Sequence, residues 1–294
     1  MFKGIYTPII TIFDQNNNPD KPSNEKLINK LISDGVDGIV FLGSIGEFYS
    51  MTHQEKKDYI KFALGIVDKR VKTMVGTASN NINEVIELNN LAHELGADCA
   101  MVLCPYFFAL GDDSVYEYYQ KISKKSPLPI MLYNFPERTS INMTPSLVGR
   151  LAADFENIIG VKDSHSSFGN TRSYIVETSK NQKDFCVFSG FDECLIPNLL
   201  AGGSGIIGGL SNFASKLFVD CYNAFKENDI EKIKIYQKQI NKLMGLYTIS
   251  NPFITAMKEA VKRSISHDFE ITLKNSDIKL TPAQTNALDE LLKV

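Results

Sequence analysis

The sequence has no C-x-x-C pair. Its five cysteines (Cys99, Cys104, Cys186, Cys194, Cys221) are odd in number and scattered, a pattern that argues against a disulfide framework or a thiolate metal site. Three of them lie in apolar, strand-like runs, where a free cysteine acts as a small hydrophobe. All five read as reduced packing residues. The four histidines, His53, His93, His165 and His267, form no H-x-x-x-H pair, so no metal site is legible. His93, followed by Glu94 in an amphipathic run, reads as a solvated or half-buried helical residue rather than a ligand. Long Lys/Arg runs are missing and the net charge is -3 with a pI near 5.9, which argues against a nucleic-acid surface or a basic membrane patch. No apolar run is long enough to cross a bilayer, and MFKGIYTPII passes into strand-like sequence without a small-residue cleavage site. The cytoplasm is the expected location. No G-x-G-x-x-G follows a strand and opens a helix, so no nicotinamide fingerprint is present.

What is present is a regular alternation. The 294 residues, 44% hydrophobic, give apolar runs at 4–13, 38–43, 71–78, 99–105, 129–135, 157–163, 185–190 and 205–210, each followed by a helical pattern. Thr52 and Glu55 form a capping box for the second helix. Pro145 falls in the first turn of another. Eight β-α units imply parallel strands with right-handed crossovers. The candidates are a closed barrel and an open doubly wound sheet. A count of eight without a Pro/Ser-rich linker favours an α/β fold of the (β/α)8 TIM-barrel class over 1–228, with a C-terminal helical extension over 229–294. DGVDG (34–38), LGADC (95–99) and AGGSG (201–205) occupy equivalent helix-to-strand corners and read as one loop solution reused.

In such a barrel, chemistry gathers after the strands. NIIGVKDS (157–164) reads as a buried β-branched strand with one cation, Lys162, at its C-terminal end. Burial disfavours the charged form of a lysine and makes the nucleophilic amine accessible. The competing reading is a solvent-facing ion pair with Asp163. Tyr133 ends the adjacent strand, where a phenol can shuttle a proton beside an amine; otherwise it is an aromatic capping the barrel. GSIGE (43–47) can receive a carboxylate on successive N–H groups, or is a structural turn. Arg138 can clamp a carboxylate or is a surface charge. The glycines of GSGIIGG (203–209) could cradle a phosphate or leave space for a lysine adduct. Together, the amine, the phenol, the Ser44 hydroxyl and the N–H pocket point to Schiff-base chemistry on a 2-keto acid.

GSIGEF, YNFP, GVKDS and SGFD, in this order and spacing, closely resemble the dihydrodipicolinate synthase / N-acetylneuraminate lyase family. The resemblance implies a class I aldolase or synthase that uses pyruvate, with no cofactor or metal, as a homotetramer (dimer of dimers). It implies Lys162 as the Schiff-base lysine, Tyr133 as the proton-shuttling phenol and Ser44 as its relay. The Ser44 and Ile45 N–H groups, with Gly46 in the same turn, would hold the pyruvate carboxylate, while Gly190 and Ile207 line the pocket. Where the synthase branch has a threonine, a second tyrosine and a glutamate, this chain has Ile45, Phe107 and Asp163. Arg138 does match that branch's arginine for the semialdehyde carboxylate. The motifs, with the early DKP (20–22), are more similar to 2-keto-3-deoxy sugar-acid aldolases, which release pyruvate and an aldehyde such as glyceraldehyde. That reaction is the leading expectation, with dihydrodipicolinate synthase second. Two readings of other classes are a non-catalytic keto-acid-binding barrel and a phosphate-binding barrel isomerase. No nucleic-acid or membrane partner is expected.

Overall fold

The computed structural model describes residues 1–180, 184–265 and 268–293, so His267 lies outside the described residues. Eight strands close a parallel barrel in sequence order: β1 Gly4–Pro8, β2 Gly38–Phe41, β3 Lys72–Gly76, β4 Cys99–Leu103, β5 Ile130–Asn134, β6 Ile158–Asp163, β7 Cys186–Ser189 and β8 Gly205–Ile207. Between them run α1 Lys21–Asp34, α2 His53–Val67, α3 Ile82–Glu94, α4 Asp112–Ser123, α5 Pro136–Thr139, α6 Pro145–Asp154, α7 Phe168–Thr178 and α8 Leu195–Leu200. After β8 come α9 Ser211–Lys226, α10 Ile230–Leu243, α11 Ile254–Ser264 and α12 Pro282–Leu291. The TIM-barrel expectation and the C-terminal helices are both observed. No helix among the described residues is long and apolar enough to cross a membrane.

Packing divides the chain into two compact units. One comprises Met1–Gly4 and Lys72–Ile207, the other Ile5–Val71 and Gly208–Val294. In the first, strands β3 to β8 pair in parallel, with one register shift against β6 between Ile130 and Met131, and bury nearly every residue, as strands covered on both faces must. In the second, β1 pairs with β2.

The three repeated corners share one geometry. Gly35, Gly96 and Gly202 take φ values of 88°, 83° and 93°, the left-handed region that glycine enters without penalty. Two residues later, Asp37, Asp98 and Ser204 accept side-chain hydrogen bonds from the N–H groups of Ile5 (2.8 Å), Thr73 (2.8 Å) and Val187 (3.2 Å) in the preceding strand. Their own N–H groups return to the carbonyls of the same three residues. Each corner thus fixes the start of one strand against the next. Burial raises the Asp37 carboxyl above its ordinary range, opposed by the Ile5 N–H and Lys226.

Two boundaries differ from the sequence pattern. The apolar run 4–13 leaves the ladder soon after Pro8: the Ile9 N–H still donates to the Val40 carbonyl of β2, but those of Ile10 and Ile12 turn to Asn212 Oδ1 and Asn24 Oδ1. The first helix starts earlier than its apolar face, with Asp20 as N-cap accepting from the Ser23 N–H and Pro22 in the first turn. The DKP motif therefore has a local structural use. The predicted capping box of Thr52 and Glu55 is present at α2.

Candidate active site

In the first unit, the ladder sets Tyr133 of β5 directly opposite Lys162 of β6. Leu103, Tyr133, Lys162, Phe188 and Gly205 form one register row across β4 to β8, and adjacent residues of a parallel row face the same side. The row below contains Met131, Gly160 and Cys186. A Cβ at Gly160 would lie 2.5 Å from the Cys186 carbonyl and 2.8 Å from Met131 Sδ, so only glycine fits beneath the lysine.

Lys162 is 3% exposed and Tyr133 2%. The lysine Nζ stands 4.2 Å from the Tyr133 ring centroid, within the range of a cation–π contact. Lys162 makes no ion pair among the described residues. The Tyr133 ring in turn stacks on Phe135, with centroids 5.8 Å apart and planes at 26°. The Arg138 guanidinium lies 5.7 Å from the Phe135 centroid. Amine, phenol, phenyl and guanidinium thus form one continuous stack from the buried strand to an exposed residue of α5.

The ion pair of Lys162 with Asp163 does not occur. Successive strand residues face opposite sides, and Asp163 is fully buried on the other face. Its carboxylate accepts from Asn134 Nδ2 (2.8 Å), Asn170 Nδ2 (3.1 and 3.2 Å) and Thr171 Oγ1 (2.7 Å). Asn134 is the ladder partner of Asp163, and Asn170 and Thr171 belong to α7. The cage therefore ties the ends of β5 and β6 to the following helix, one residue beyond the Tyr133 and Lys162 pair. Burial, followed by the Asp163 charge, pushes the neighbouring Tyr174 phenol far up. These partners escaped the motif reading, although strand alternation was the signal that could have excluded the ion pair.

Gly190 follows β7, and its N–H donates to the Asp163 carbonyl at 2.7 Å. A Cβ there would fall 2.1 Å from Ser164 Oγ. Ile207 ends β8 and is buried. Three of the glycines of GSGIIGG have the protein itself packed against them. A Cβ would meet Asn198 Oδ1 at 2.1 Å from Gly203, the Gly4 carbonyl at 2.1 Å from Gly205, and Tyr247 Oη at 2.6 Å from Gly209. Residues 205–207 of the run are β8 itself, and the next helix starts only at Ser211. His165 accepts the Ser167 N–H on Nδ1 at 2.9 Å, a loop-shaping role.

In the second unit, Ser44–Gly46 form a single 3-10 turn after β2. The Gly46 N–H donates to the Gly43 carbonyl and that of Glu47 to the Ser44 carbonyl. The N–H groups of Ser44 and Ile45 lead the turn. Gly46 sits against the Ile9 carbonyl, 3.1 Å from where its Cβ would be, and its own carbonyl accepts from Thr11 Oγ1 at 2.8 Å. Beneath the turn lies an ion pair that the motif reading missed. Glu47 Oε1 and Lys258 Nζ are 2.5 Å apart with both side chains 1% exposed.

All five cysteines are free, four of them buried, and His93 is exposed on α3, as expected for packing and helix-surface residues. No cluster of His, Cys, Asp and Glu suited to a metal ion occurs among the described residues.

The profile of the dihydrodipicolinate synthetase family matches residues 1–275. The chain is 38% identical over 261 residues to the Escherichia coli K12 protein named "Putative 2-dehydro-3-deoxy-D-gluconate aldolase YagE", covering 89% of this chain and 86% of that one. It is 35% identical over 253 residues to the 4-hydroxy-tetrahydrodipicolinate synthase of Methanocaldococcus jannaschii, covering 86% of each. The crystal structure of Escherichia coli YagE in complex with pyruvate superposes with a TM-score of 0.92 at 35% identity, over 100% of this chain and 98% of that one. Profile, identity and superposition agree that this chain belongs to the dihydrodipicolinate synthetase family and is a class I aldolase/lyase.

Proposed function

We propose that the protein is a pyruvate-dependent Schiff-base aldolase that cleaves or forms a 2-keto-3-deoxy sugar acid. The observation that carries this reading is Lys162: a buried lysine with no ion pair among the described residues, against the face of a phenol. YagE supports it further, being both similar over most of the chain and known in complex with pyruvate.

In this reading the Lys162 amine attacks the C2 carbonyl of the keto acid, and loss of water from the carbinolamine leaves an iminium. The iminium accepts the electron pair released when the C3–C4 bond breaks, while the C4 hydroxyl loses its proton and departs as an aldehyde. The resulting enamine is protonated at C3, and hydrolysis frees pyruvate and the lysine. Tyr133 moves protons at the carbinolamine and aldehyde oxygens, and Ser44 serves as its relay. The N–H groups of Ser44 and Ile45, in the turn that Gly46 allows, hold the keto-acid carboxylate. Gly190 and Ile207 line the keto-acid pocket. The exposed Phe107 and Phe108 favour association between chains, since such apolar surface is usually covered by another chain, and the assembly proposed is a homotetramer.

The second reading, dihydrodipicolinate synthase, rests on one observation. Arg138 is exposed and has no carboxylate partner among the described residues, so it is open to a second substrate carboxylate. Coupled assays separate the two. Pyruvate release from 2-keto-3-deoxygluconate is expected; turnover only in the condensation of pyruvate with aspartate semialdehyde would reverse the order.

A further inference from the structure

Glu47 is the last residue of GSIGE, and its backbone lies in the left-handed region, φ 58°, which a non-glycine residue adopts only where its surroundings impose it. Both carboxylate oxygens are fixed. Oε1 pairs with Lys258 Nζ at 2.5 Å, and Oε2 accepts the Lys274 N–H at 2.8 Å. Lys258, on α11, is fully buried, donates to the Thr272 carbonyl at 2.6 Å and stands 4.9 Å from the Phe13 ring centroid. Thr272 Oγ1 bonds the Phe13 carbonyl at 3.1 Å. Burial lowers the Lys258 ammonium below its ordinary range, and the Glu47 charge opposes that shift.

A buried ion pair is a poor stabilising device, because apolar residues of equal volume often do as well or better. It is a good registry device. We infer that the Glu47–Lys258 pair is a positioning element for substrate: it locks the end of the 3-10 turn, so that the Ser44 and Ile45 N–H groups are held ready for the keto-acid carboxylate. Lys258 of α11 and the Lys274 N–H thereby act on the site through Glu47 without touching substrate. This inference rests on the pyruvate reading above.

The test is borohydride trapping of pyruvate on the full chain, followed by intact mass as pyruvate is varied. Two variants are used, Glu47→Gln and the double Glu47→Gln/Lys258→Met, which leaves no buried lone charge and is therefore expected to keep its thermal midpoint. The expected result is a rise of about tenfold in the half-saturating pyruvate concentration, equivalent to ~1.4 kcal/mol of binding, with full trapping at saturation. Native half-saturation in either folded variant would reduce the pair to a structural role and overturn the inference. Absence of any adduct on the native protein would remove the pyruvate reading, and this inference with it.

Discussion

Lys162 and Tyr133 are cross-strand neighbours in the β5–β6 ladder, with the amine 4.2 Å from the phenol ring centroid and both side chains buried. In the proposed aldolase reaction the phenol would handle protons for an adduct on the amine. Tyr133→Phe keeps the ring, its stack on Phe135 and the contact with Lys162, and removes only the hydroxyl. Its kcat should fall about 10²–10⁴-fold, the range for loss of a general acid–base. Thermal unfolding should show a near-native midpoint. A loss of less than threefold would contradict the role.

The pairing was legible in the sequence because strand alternation and consecutive β-α units fix which residues end adjacent strands. The TIM barrel followed from the same regularity, and even the reused corners could be seen as three glycine-containing repeats. The Glu47–Lys258 pair was not legible: nothing local to GSIGE points to a lysine on a helix far along the chain, and only tertiary packing brings them together. Nor was the stack through Phe135, because α5 is a single short turn of helix opened by Pro136, inside what reads as a loop.

Asp163 tests the cage. Asp163→Leu leaves the Asn134, Asn170 and Thr171 donors without their acceptor. Each orphaned buried donor costs about 1–3 kcal/mol, so denaturant unfolding should show a loss of about 3 kcal/mol or more. A surface ion pair with Lys162 would have cost at most about 1 kcal/mol. A loss that small would contradict the buried arrangement.

Arg138 separates the two substrate readings. Arg138→Ala removes an exposed side chain whose contact is the Phe135 ring, so stability should change by no more than about 0.5 kcal/mol. If Arg138 takes a second carboxylate, condensation with aspartate semialdehyde should suffer far more than aldol cleavage of a 2-keto-3-deoxy acid. Equal losses in kcat/KM for the two reactions would remove that role.

The cysteines predict both reactivity and pH dependence. Burial, then Glu193, pushes the Cys194 thiol up to about 11. Burial pushes Cys104 and Cys221 up to about 12, and raises Cys99 and Cys186 as well. At pH 8 the Cys194 thiol is only ~0.1% thiolate. A disulfide reagent should therefore label the native protein slowly and all five thiols once it is unfolded; rapid stoichiometric labelling of the native state would contradict the burial. These thiols bind protons more tightly when folded. Their contribution to stability is complete below ~8.5, the pKa of an unfolded thiol, and is lost as pH rises through the folded values.

The most direct test of the central claim is borohydride reduction of the native protein in the presence of pyruvate, followed by peptide mapping, with Lys162→Met as the control. One adduct of pyruvate mass is expected, confined to Lys162 and missing from the control. No adduct, or adducts spread over several surface lysines, would contradict a Schiff-base lysine at this position and turn attention to a keto-acid-binding barrel without the chemistry.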